Sequence, residues 1–357
     1  CYGREIHRVT RAMADIAQPA RIFNHTRPQG RGLRRWNAAN RRFHPVTIRG
    51  LEPRIIPPPA LGPAEHRWNK VALSTDPATP SKLPFNAVAP GLKPVTPVRP
   101  VAAYIGGKRN LAKRLVERIN ATPHAIYAEV MVGMGGVFFR RTLRPQGEVI
   151  NDISTDVSTL FRILQRHYQS FMEELKWRLT SRADFERLMA TDPKTLTDLE
   201  RAARFLYLQR TGFGGKVAER HFGVVYNAGA RFDLTKLGAM LQDVHERLAG
   251  VVIERMPWAT FIDRYDRPGT LFYLDPPYHG CEDDYGPGVF GRDQFELLAE
   301  RLGRLRGGSF ILSINDHPDI RRLFAGFTIE PVETSYSIAS GSGTKPVTEL
   351  VITGGGV

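Results

Sequence analysis

The sequence predicts an α/β fold in which helices cover both faces of a parallel or mixed β-sheet. Short apolar runs alternate with segments whose apolar residues recur every three or four positions, which is the pattern of strands alternating with helices. Two of the apolar runs end in an aspartate, at Asp152 and Asp275. Because ligands of open α/β sheets bind just beyond the carboxyl ends of the strands, both acids are candidate site residues.

Each expected element has its own local pattern. Apolar residues on one face predict helices from 111 to 119, from Val137, around 160–164, from 185 to 208, over 234–248 and over 295–305, the last with a core of Leu298, Leu302 and Leu305. Short apolar or β-rich runs predict strands over 125–132, 148–151, 271–274, 310–314, 328–336 and 349–353. The block 210–232 is rich in glycine and arginine and lacks periodicity, so we expect a loop there.

The basic charge is concentrated at the start of the chain. Residues 1–100 contain 17 Lys+Arg and 5 Asp+Glu, whereas residues 101–357 contain 33 and 31. Residues 1–100 also contain 15 of the 26 prolines, so we expect a disordered or loosely ordered extension followed by a folded domain over 101–357. The extension could supply non-specific phosphate contacts or have no part in function.

Several function classes are disfavoured by what the sequence lacks. No apolar run approaches the ~18 residues of a membrane span, and no secretory h-region lies near the start. The two cysteines, Cys1 and Cys281, have neither metal-ligand spacing nor a disulfide framework, and the histidines are scattered. We therefore expect a cytoplasmic protein without a metal ion.

The stretch Asp275-Pro276-Pro277-Tyr278 is the most informative part of the chain. Neither proline offers an N–H to a sheet ladder and both fix φ, so the preceding strand must end at Asp275 in a stiff turn. A rigid carboxylate beside a flat ring suits the binding of an amino group on a planar heterocycle. Taken alone, these four residues fit a simple strand-ending turn equally well.

A glycine turn and a second acid precede this stretch. Gly133-x-Gly135 at a strand-to-helix junction lets the backbone approach a ligand closely, although such turns also arise for packing. Asp152 follows the next strand, where an acid can accept hydrogen bonds from ribose hydroxyls or cap a helix. The chain has no Gly-x-x-x-x-Gly-Lys-Ser/Thr sequence, which excludes a phosphate-binding NTPase loop of that type.

The order of the motifs resembles a known family. In sequence they are Gly106-Gly107-Lys108, Glu129-Val-Met-Val-Gly-Met-Gly-Gly136, Asn151-Asp152-Ile153, the Gly/Arg-rich block, Asp275-Pro276-Pro277-Tyr278 and Thr348-Glu-Leu-Val-Ile-Thr353. This order is similar to that of the Dam-like (D12 class, alpha-group) S-adenosylmethionine-dependent DNA adenine-N6 methyltransferases of phages and restriction systems. The resemblance covers about 101–354. It implies a Rossmann-like class I methyltransferase fold with a mixed, mostly parallel sheet and a smaller, mainly helical target-recognition insertion over 165–255.

Carried over position by position, the resemblance implies a site for S-adenosyl-L-methionine and a flipped-out adenine. The cofactor would be bound by Tyr104, Lys108, Gly133, Gly135, Asp152 and Asp275. The catalytic turn would be Asp275, Pro276 and Tyr278: the Asp275 carboxylate and the Pro276 carbonyl would accept hydrogen bonds from N6, and Tyr278 would stack on the base. The chain departs from the family at Met131, where phenylalanine is usual, and at Val130, where proline is common.

The loop block is the expected site of DNA recognition, with double-stranded DNA as the partner. Arg210-Thr-Gly-Phe213-Gly-Gly-Lys216 resembles the family's Arg-x-Gly-aromatic-x-Gly stretch. Arginine can pair bidentately with guanine, so the candidates for DNA contacts are Arg210, Phe213, Lys216, Arg220 and Arg231. For each basic residue, a solvated loop position without a DNA contact stays open. Whether a restriction endonuclease accompanies the enzyme does not follow from the sequence.

Two alternatives differ in class from site-specific adenine methylation. The chain could methylate another amino group, such as cytosine N4 or a glutamine amide, but related enzymes with those substrates more often have Ser or Asn at the position of Asp275. It could also be a catalytically idle DNA-binding protein that keeps the fold. The presence of Asp275, Tyr278, Asp152 and Lys108 argues against that loss of activity.

Overall fold

The computed structural model describes residues 89–224, 229–286, 288–337 and 344–355. Within them the strands are β1 (Lys93–Pro94), β2 (Ile126–Glu129), β3 (Leu143–Arg144), β4 (Gly147–Asn151), β5 (Val252–Glu254), β6 (Thr270–Leu274), β7 (Ser309–Asn315), β8 (Thr328–Ser337) and β9 (Thr344–Gly355). The helices are α1 (Ala112–Ala121), α2 (Thr155–Arg166), α3 (Tyr168–Lys176), α4 (Arg182–Ala190), α5 (Asp198–Thr211), α6 (Leu234–Arg247), α7 (Trp258–Tyr265), α8 (Gln294–Gly303) and α9 (Pro318–Leu323).

A mixed, mostly parallel sheet of seven strands forms the centre of the fold, as predicted. Its strand order is β5-β4-β2-β6-β7-β9-β8. The strands from β5 to β7 pair in parallel, and β9 pairs antiparallel with both β7 and β8. Because β4 lies on one side of β2 and β6 on the other, the topological switch point falls at the carboxyl ends of these three strands.

Side chains alternate between two hydrophobic cores along the central strands. In β6, Leu271 and Tyr273 face the core under α1 to α6, whereas Phe272 and Leu274 face the core under α7 to α9. β2 divides in the same way, with Tyr127 on one face and Ala128 on the other. The sheet is therefore buried on both faces, which is why its strands read as continuous apolar runs.

The expected recognition insertion, 165–255, consists mainly of helices α3 to α6. Their buried residues belong to the same core as α1 and α2, so they pack on the sheet domain as one continuous layer. β5 lies inside that sequence range but pairs with β4 at the edge of the central sheet. The helical part of this sequence range therefore ends before Val252.

Three local expectations differ from the structure. The helix expected from Val137 is only a 3-10 turn, Phe138–Arg140, because the chain becomes extended at Arg141 and then enters β3. The helical region 185–208 is divided between α4 and α5, which a turn at Pro193 separates. A capping box between Thr197 and Glu200 begins α5. Leu305 lies beyond the end of α8 and is half-buried rather than in the core.

Residues 89–100, which the sequence assigned to the extension, pack on the domain where the structure describes them. β1 pairs antiparallel with β3. The backbone N–H of Val98 donates to the carbonyl of Phe139 at 2.8 Å, and that of Val95 donates to Thr142 at 2.9 Å. In the part of the chain that is described, no helix has the length and apolarity needed to cross a membrane.

Candidate active site

A cavity of about 1240 Å³ opens at the switch point of the sheet. Four segments that are distant in sequence meet there: the loop before α1, the ends of β2 and β4, and the turn after β6. The residues from the sequence-predicted set that line it are Tyr104, Lys108, Gly133, Asp152, Arg210 and Asp275. Met131, which replaces the usual aromatic residue of the glycine loop, lines it as well.

Asp275 lies at the carboxyl end of β6, a strand whose five residues are all buried. Pro276 and Pro277 are buried too, so the turn is fixed by packing as well as by its restricted φ angles. Burial raises the pKa of the Asp275 carboxyl to about 6, although the nearby Lys108 ammonium opposes that rise. Asp275 is therefore a carboxylate at neutral pH, and it becomes protonated when the pH falls to about 6.

Lys108 joins the loop before α1 to the turn Asp275-Pro276-Pro277-Tyr278. Its side chain is 1% exposed, and its Nζ lies 2.7 Å from Asp275 Oδ1 and 3.0 Å from the hydroxyl of Tyr278. The same Nζ lies 4.3 Å from the centre of the Tyr278 ring. A buried ammonium is stable only when it is paired, so Lys108 holds Asp275 and Tyr278 in one cluster.

Glu349 of β9 completes this cluster, and the sequence analysis gave it no role. Its side chain is fully buried, and its Oε2 lies 3.7 Å from Lys108 Nζ. The Tyr278 hydroxyl donates to Glu349 Oε1 at 2.5 Å. Burial raises the pKa of Tyr278 well above its usual range, so this hydroxyl remains a donor. The signal available in the sequence was an acid within an otherwise apolar strand, Glu349-Leu-Val-Ile.

The glycine loop and Asp152 form the opposite end of the cavity. The N–H of Gly133 donates to Asp152 Oδ2 at 2.8 Å, and that of Ser154 donates to Oδ1 at 2.9 Å. The N-cap of α2 is Ser154, so Asp152 does not cap the helix. Gly133 has φ +51°, and a Cβ there would lie 3.0 Å from the Tyr104 ring. Glycine at this position thus lets Tyr104 lie against the loop.

Glu129 is a second acid of the cavity wall that the sequence analysis did not single out. It is the last residue of β2 and is 2% exposed, and the hydroxyl of Tyr127 donates to its Oε2 at 2.6 Å. Burial raises the pKa of Glu129 to about 8, and that of Asp152 to about 6. Because the pKa of Asp275 is also raised to about 6, Glu129 holds its proton more strongly than the other two carboxyl groups of the cavity wall.

The arginines predicted to contact DNA donate to the protein itself. Arg210 donates to the carbonyls of Val101 and Arg231, and Arg231 donates to that of Gly212. Arg220 donates to the Gln209 side chain at 3.1 Å and to the Lys216 carbonyl at 3.1 Å. These contacts stabilise the loop after α5.

The remaining two candidates in this loop are more accessible. Phe213 is 48% exposed, and the Arg231 guanidinium lies 6.0 Å from its ring centre. Lys216 is half-buried. Phe213 and Lys216 are therefore better placed for contact with another molecule than the three arginines, whose guanidinium groups donate to the protein itself.

One group among the described residues has the composition of a metal site. His279, His317 and Asp319 place potential ligand atoms within 4.8 Å of one another. The two imidazoles are stacked, with centroids 3.9 Å apart and planes 26° apart, so their in-plane lone pairs run nearly parallel. His317 Nδ1 also accepts the N–H of Asp319 as the N-cap of α9. The group is therefore explained by ring packing and helix capping.

Comparison with known proteins agrees with the motif order. The sequence profile of the D12 class N6 adenine-specific DNA methyltransferases matches residues 104–338. The type II methyltransferase M.CviBI of Paramecium bursaria Chlorella virus NC1A is 21% identical over 248 residues, which are 69% of this chain and 94% of that protein. M1.LlaDCHI, a type II methyltransferase of Lactococcus lactis subsp. cremoris, is 25% identical over 282 residues, covering 72% and 95%.

A third relative is a DNA adenine methylase of Vibrio cholerae serotype O1. It is 24% identical over 268 residues, which are 70% of this chain and 93% of that protein. The profile match covers more than half of the chain and includes Lys108, the glycine loop and the turn Asp275-Pro276-Pro277-Tyr278. The chain therefore belongs to the D12 class of N6 adenine-specific DNA methyltransferases.

Proposed function

We propose that this DNA adenine methyltransferase uses S-adenosyl-L-methionine and methylates N6 of an adenine flipped out of double-stranded DNA, with Asp275 as the acceptor of the N6 hydrogen bond. The observation that carries the proposal is the ion pair between the buried Lys108 and the partly exposed Asp275 in the wall of the 1240 Å³ cavity. A charged acceptor in a fixed position beside a large cavity suits a reaction in which positioning supplies most of the acceleration.

The residues at the far end of the cavity fit the nucleoside part of the cofactor. Each oxygen of Asp152 accepts one backbone N–H, which leaves lone pairs for ribose hydroxyls because a carboxylate has about four acceptor sites. Tyr104 provides an aromatic surface beside Gly133. Gly135, with φ +72°, keeps the loop close to the cavity wall, since a side chain there would overlap the Phe139 ring. When bound, the cofactor would supply an activated methyl group.

The catalytic turn prepares the amino group for that methyl group. The N6 lone pair of adenine is delocalised into the ring, which makes the nitrogen a poor nucleophile. Hydrogen bonds from N6 to the Asp275 carboxylate and the Pro276 carbonyl favour a more pyramidal nitrogen with a localised lone pair. Tyr278 is proposed to support the base next to this turn, with its hydroxyl anchored to Glu349. Flipping is needed because N6 is inaccessible in a stacked duplex.

The DNA-contacting surface is proposed to lie on the loop after α5, next to the cavity. Phe213 is its exposed aromatic residue, and Lys216 is a cation whose side chain is half-exposed. Arg210, Arg220 and Arg231 keep a role in shaping this loop through their carbonyl and amide contacts. Any contact of these three with DNA would add to that bracing role.

Methylation mapping of single DNA molecules tests the function. DNA from cells that express the protein is expected to carry N6-methyladenine at one sequence motif, and DNA from cells expressing Asp275→Asn is expected to lack it. In vitro, D275N should lower kcat by about 10²–10³-fold, as for loss of one preorganised polar contact in a transition state. S-adenosylhomocysteine binding to the purified proteins, measured by calorimetry, controls for folding.

Either of two results would contradict the proposal. One is a wild-type protein that binds S-adenosylhomocysteine but leaves adenine unmodified at every motif. The other is methylation of cytosine N4 in place of adenine N6, which mass spectrometry of the digested DNA would reveal.

A further inference from the structure

Glu349 is a buried acid in contact with the Lys108–Asp275–Tyr278 cluster. Glu349 belongs to β9, 241 residues after Lys108 in the sequence, and takes no direct part in the proposed methyl transfer. Its Oε2 lies 3.7 Å from Lys108 Nζ, and its Oε1 accepts a hydrogen bond from the Tyr278 hydroxyl at 2.5 Å. A fully buried carboxylate is costly to keep in a strand unless the groups around it need its charge.

We propose that Glu349 is a positioning residue, which shares the Lys108 ammonium with Asp275 and fixes the Tyr278 ring, and so keeps Asp275 available to accept the N6 hydrogen bond. The inference rests on the proposed function of Asp275. Without Glu349, the buried ammonium would be paired with Asp275 alone. That closer pairing would weaken the carboxylate as an acceptor, because a neutralised anion attracts an N–H less strongly.

The geometry gives Glu349 two separate effects. Its charge acts on Asp275 directly and through Lys108, and it is one of the causes that raise the pKa of Asp275. Its Oε1 acts on Tyr278, whose hydroxyl also accepts from Lys108 at 3.0 Å. The hydroxyl is held from both sides, so the ring has one preferred position against the ammonium.

The other charged or titratable groups around Asp275 come from several elements. They are Lys108 from the loop before α1, Glu129 from β2, Tyr273 from β6, Tyr278 from the turn and Tyr285 from the segment that follows. Ser313 of β7 donates to Asp275. Glu349 differs from the other acid, Glu129, in that it touches both Lys108 and Tyr278.

The test is the pH dependence of kcat at saturating cofactor and DNA, measured with the full chain. The acid limb of wild-type kcat is expected near pH 6, where Asp275 becomes protonated. Glu349→Gln keeps the size of the side chain and removes the charge, so the limb should move to lower pH by about half a unit or more. The plateau of kcat should fall about tenfold because a weaker base is a weaker acceptor.

Two further variants separate charge from contact. Glu349→Asp keeps the charge but is one methylene shorter, so the limb should stay close to that of wild type while the plateau falls. Tyr278→Phe keeps the ring and loses the hydroxyl, so it too should lower the plateau while leaving the limb in place. If E349Q does not fold, these two variants still test the anchoring of Tyr278.

The matched control is Glu148→Gln, which also removes a buried strand carboxylate from an ion pair. Glu148 pairs with Arg141 at 2.6 Å and Arg247 at 2.7 Å, outside the catalytic cluster. E148Q should lower Tm and leave the acid limb unchanged. A folded E349Q with an unshifted limb, or Y278F with wild-type kcat, would overturn the inference. A wild-type enzyme without adenine methylation would instead overturn the function on which it rests.

Discussion

The position of Asp275 and Tyr278 at the end of a buried strand was predictable from the sequence because the two prolines between them restrict the backbone. Two prolines after an apolar run leave few conformations, so the position of the acid at the strand end follows from local chemistry. Glu349 and Glu129 were not assigned a role, although both lie within quoted motifs. Glu129 ends a strand of four residues, and its place in the cavity wall follows from the assembled sheet. Glu349 lies in a strand of twelve residues, and its partner Tyr278 is 71 residues away in the sequence.

Glu129 leads to a prediction about stability and pH. Burial raises its pKa in the folded protein from 4.5 to about 8. Between these values the folded state holds a proton that the unfolded state has lost, so the free energy of unfolding falls as pH rises. The slope for one such group is about 1.4 kcal/mol per pH unit. Glu129→Gln should remove this slope. The Tm of E129Q minus the Tm of wild type should therefore increase from pH 5 to pH 8.

Thermal unfolding monitored by circular dichroism across that range measures the effect. Glu186→Gln, in an exposed position of α4, is the control and should run parallel to wild type. A Tm difference between E129Q and wild type that is constant with pH would contradict the raised pKa of Glu129.

At the scale of elements, long apolar patterns were predictable and short or half-exposed ones were not. β2, β4, β6 and β7 were expected where they occur, because strands buried on both faces are apolar throughout. β5 was missed, since Val252 at its start is 47% exposed and the strand has three residues. β1 and β3 were missed because two-residue strands leave no pattern.

The loop after α5 and the loop before α1 are joined through their backbones. The N–H of Ile105 donates to the carbonyl of Gly215 at 2.9 Å. The Gln209 side chain, 2% exposed, donates to the carbonyls of Ala103 and Gly215. The position of the segment that carries Tyr104 therefore depends on the expected DNA-recognition loop. These contacts link the proposed cofactor pocket to the proposed DNA-contacting surface.

Two adjacent glycines provide a matched test of that link. Gly214 and Gly215 both have φ +71°, so alanine at either position costs about 1–2 kcal/mol in the left-handed region. A Cβ on Gly214 meets nothing within 4 Å, whereas a Cβ on Gly215 would lie 2.8 Å from the Tyr104 nitrogen. Gly215→Ala should therefore lower Tm further and weaken S-adenosylhomocysteine binding several-fold; Gly214→Ala should leave that binding unchanged. Equal binding by the two variants in calorimetry would argue against the link.

At the scale of the whole molecule, the motif order predicted more than the composition did. The adenine-N6 DNA methyltransferase family and the mixed α/β fold are both confirmed. The net charge of +14 was a weaker guide, because most of it falls in residues 1–100. The limit of the domain could not be read from composition, since residues 89–100 have the proline-rich character of the extension but pack on β3 and the turn before it.

The boundary can be tested by comparing two shortened chains. A chain that begins at Val101 loses β1 and the backbone hydrogen bonds of Val95 and Val98, whereas one that begins at Ala89 keeps them. Each hydrogen bond contributes about 0.5–1.5 kcal/mol, so the shorter chain should melt several degrees lower. Equal Tm values for the two chains would show that residues 89–100 add no stability.

The antiparallel pairing of β9 with β7 has a consequence for biosynthesis. Lys108 is made early in the synthesis of this domain and Glu349 late, yet the two meet in one buried cluster. While β9 is still inside the ribosome, a nascent chain can contain the glycine loop and the Asp275–Tyr278 turn, but the Tyr278 hydroxyl cannot yet donate to Glu349. We therefore expect methylation to begin only after β9 has joined the sheet, so that partly made chains do not mark DNA.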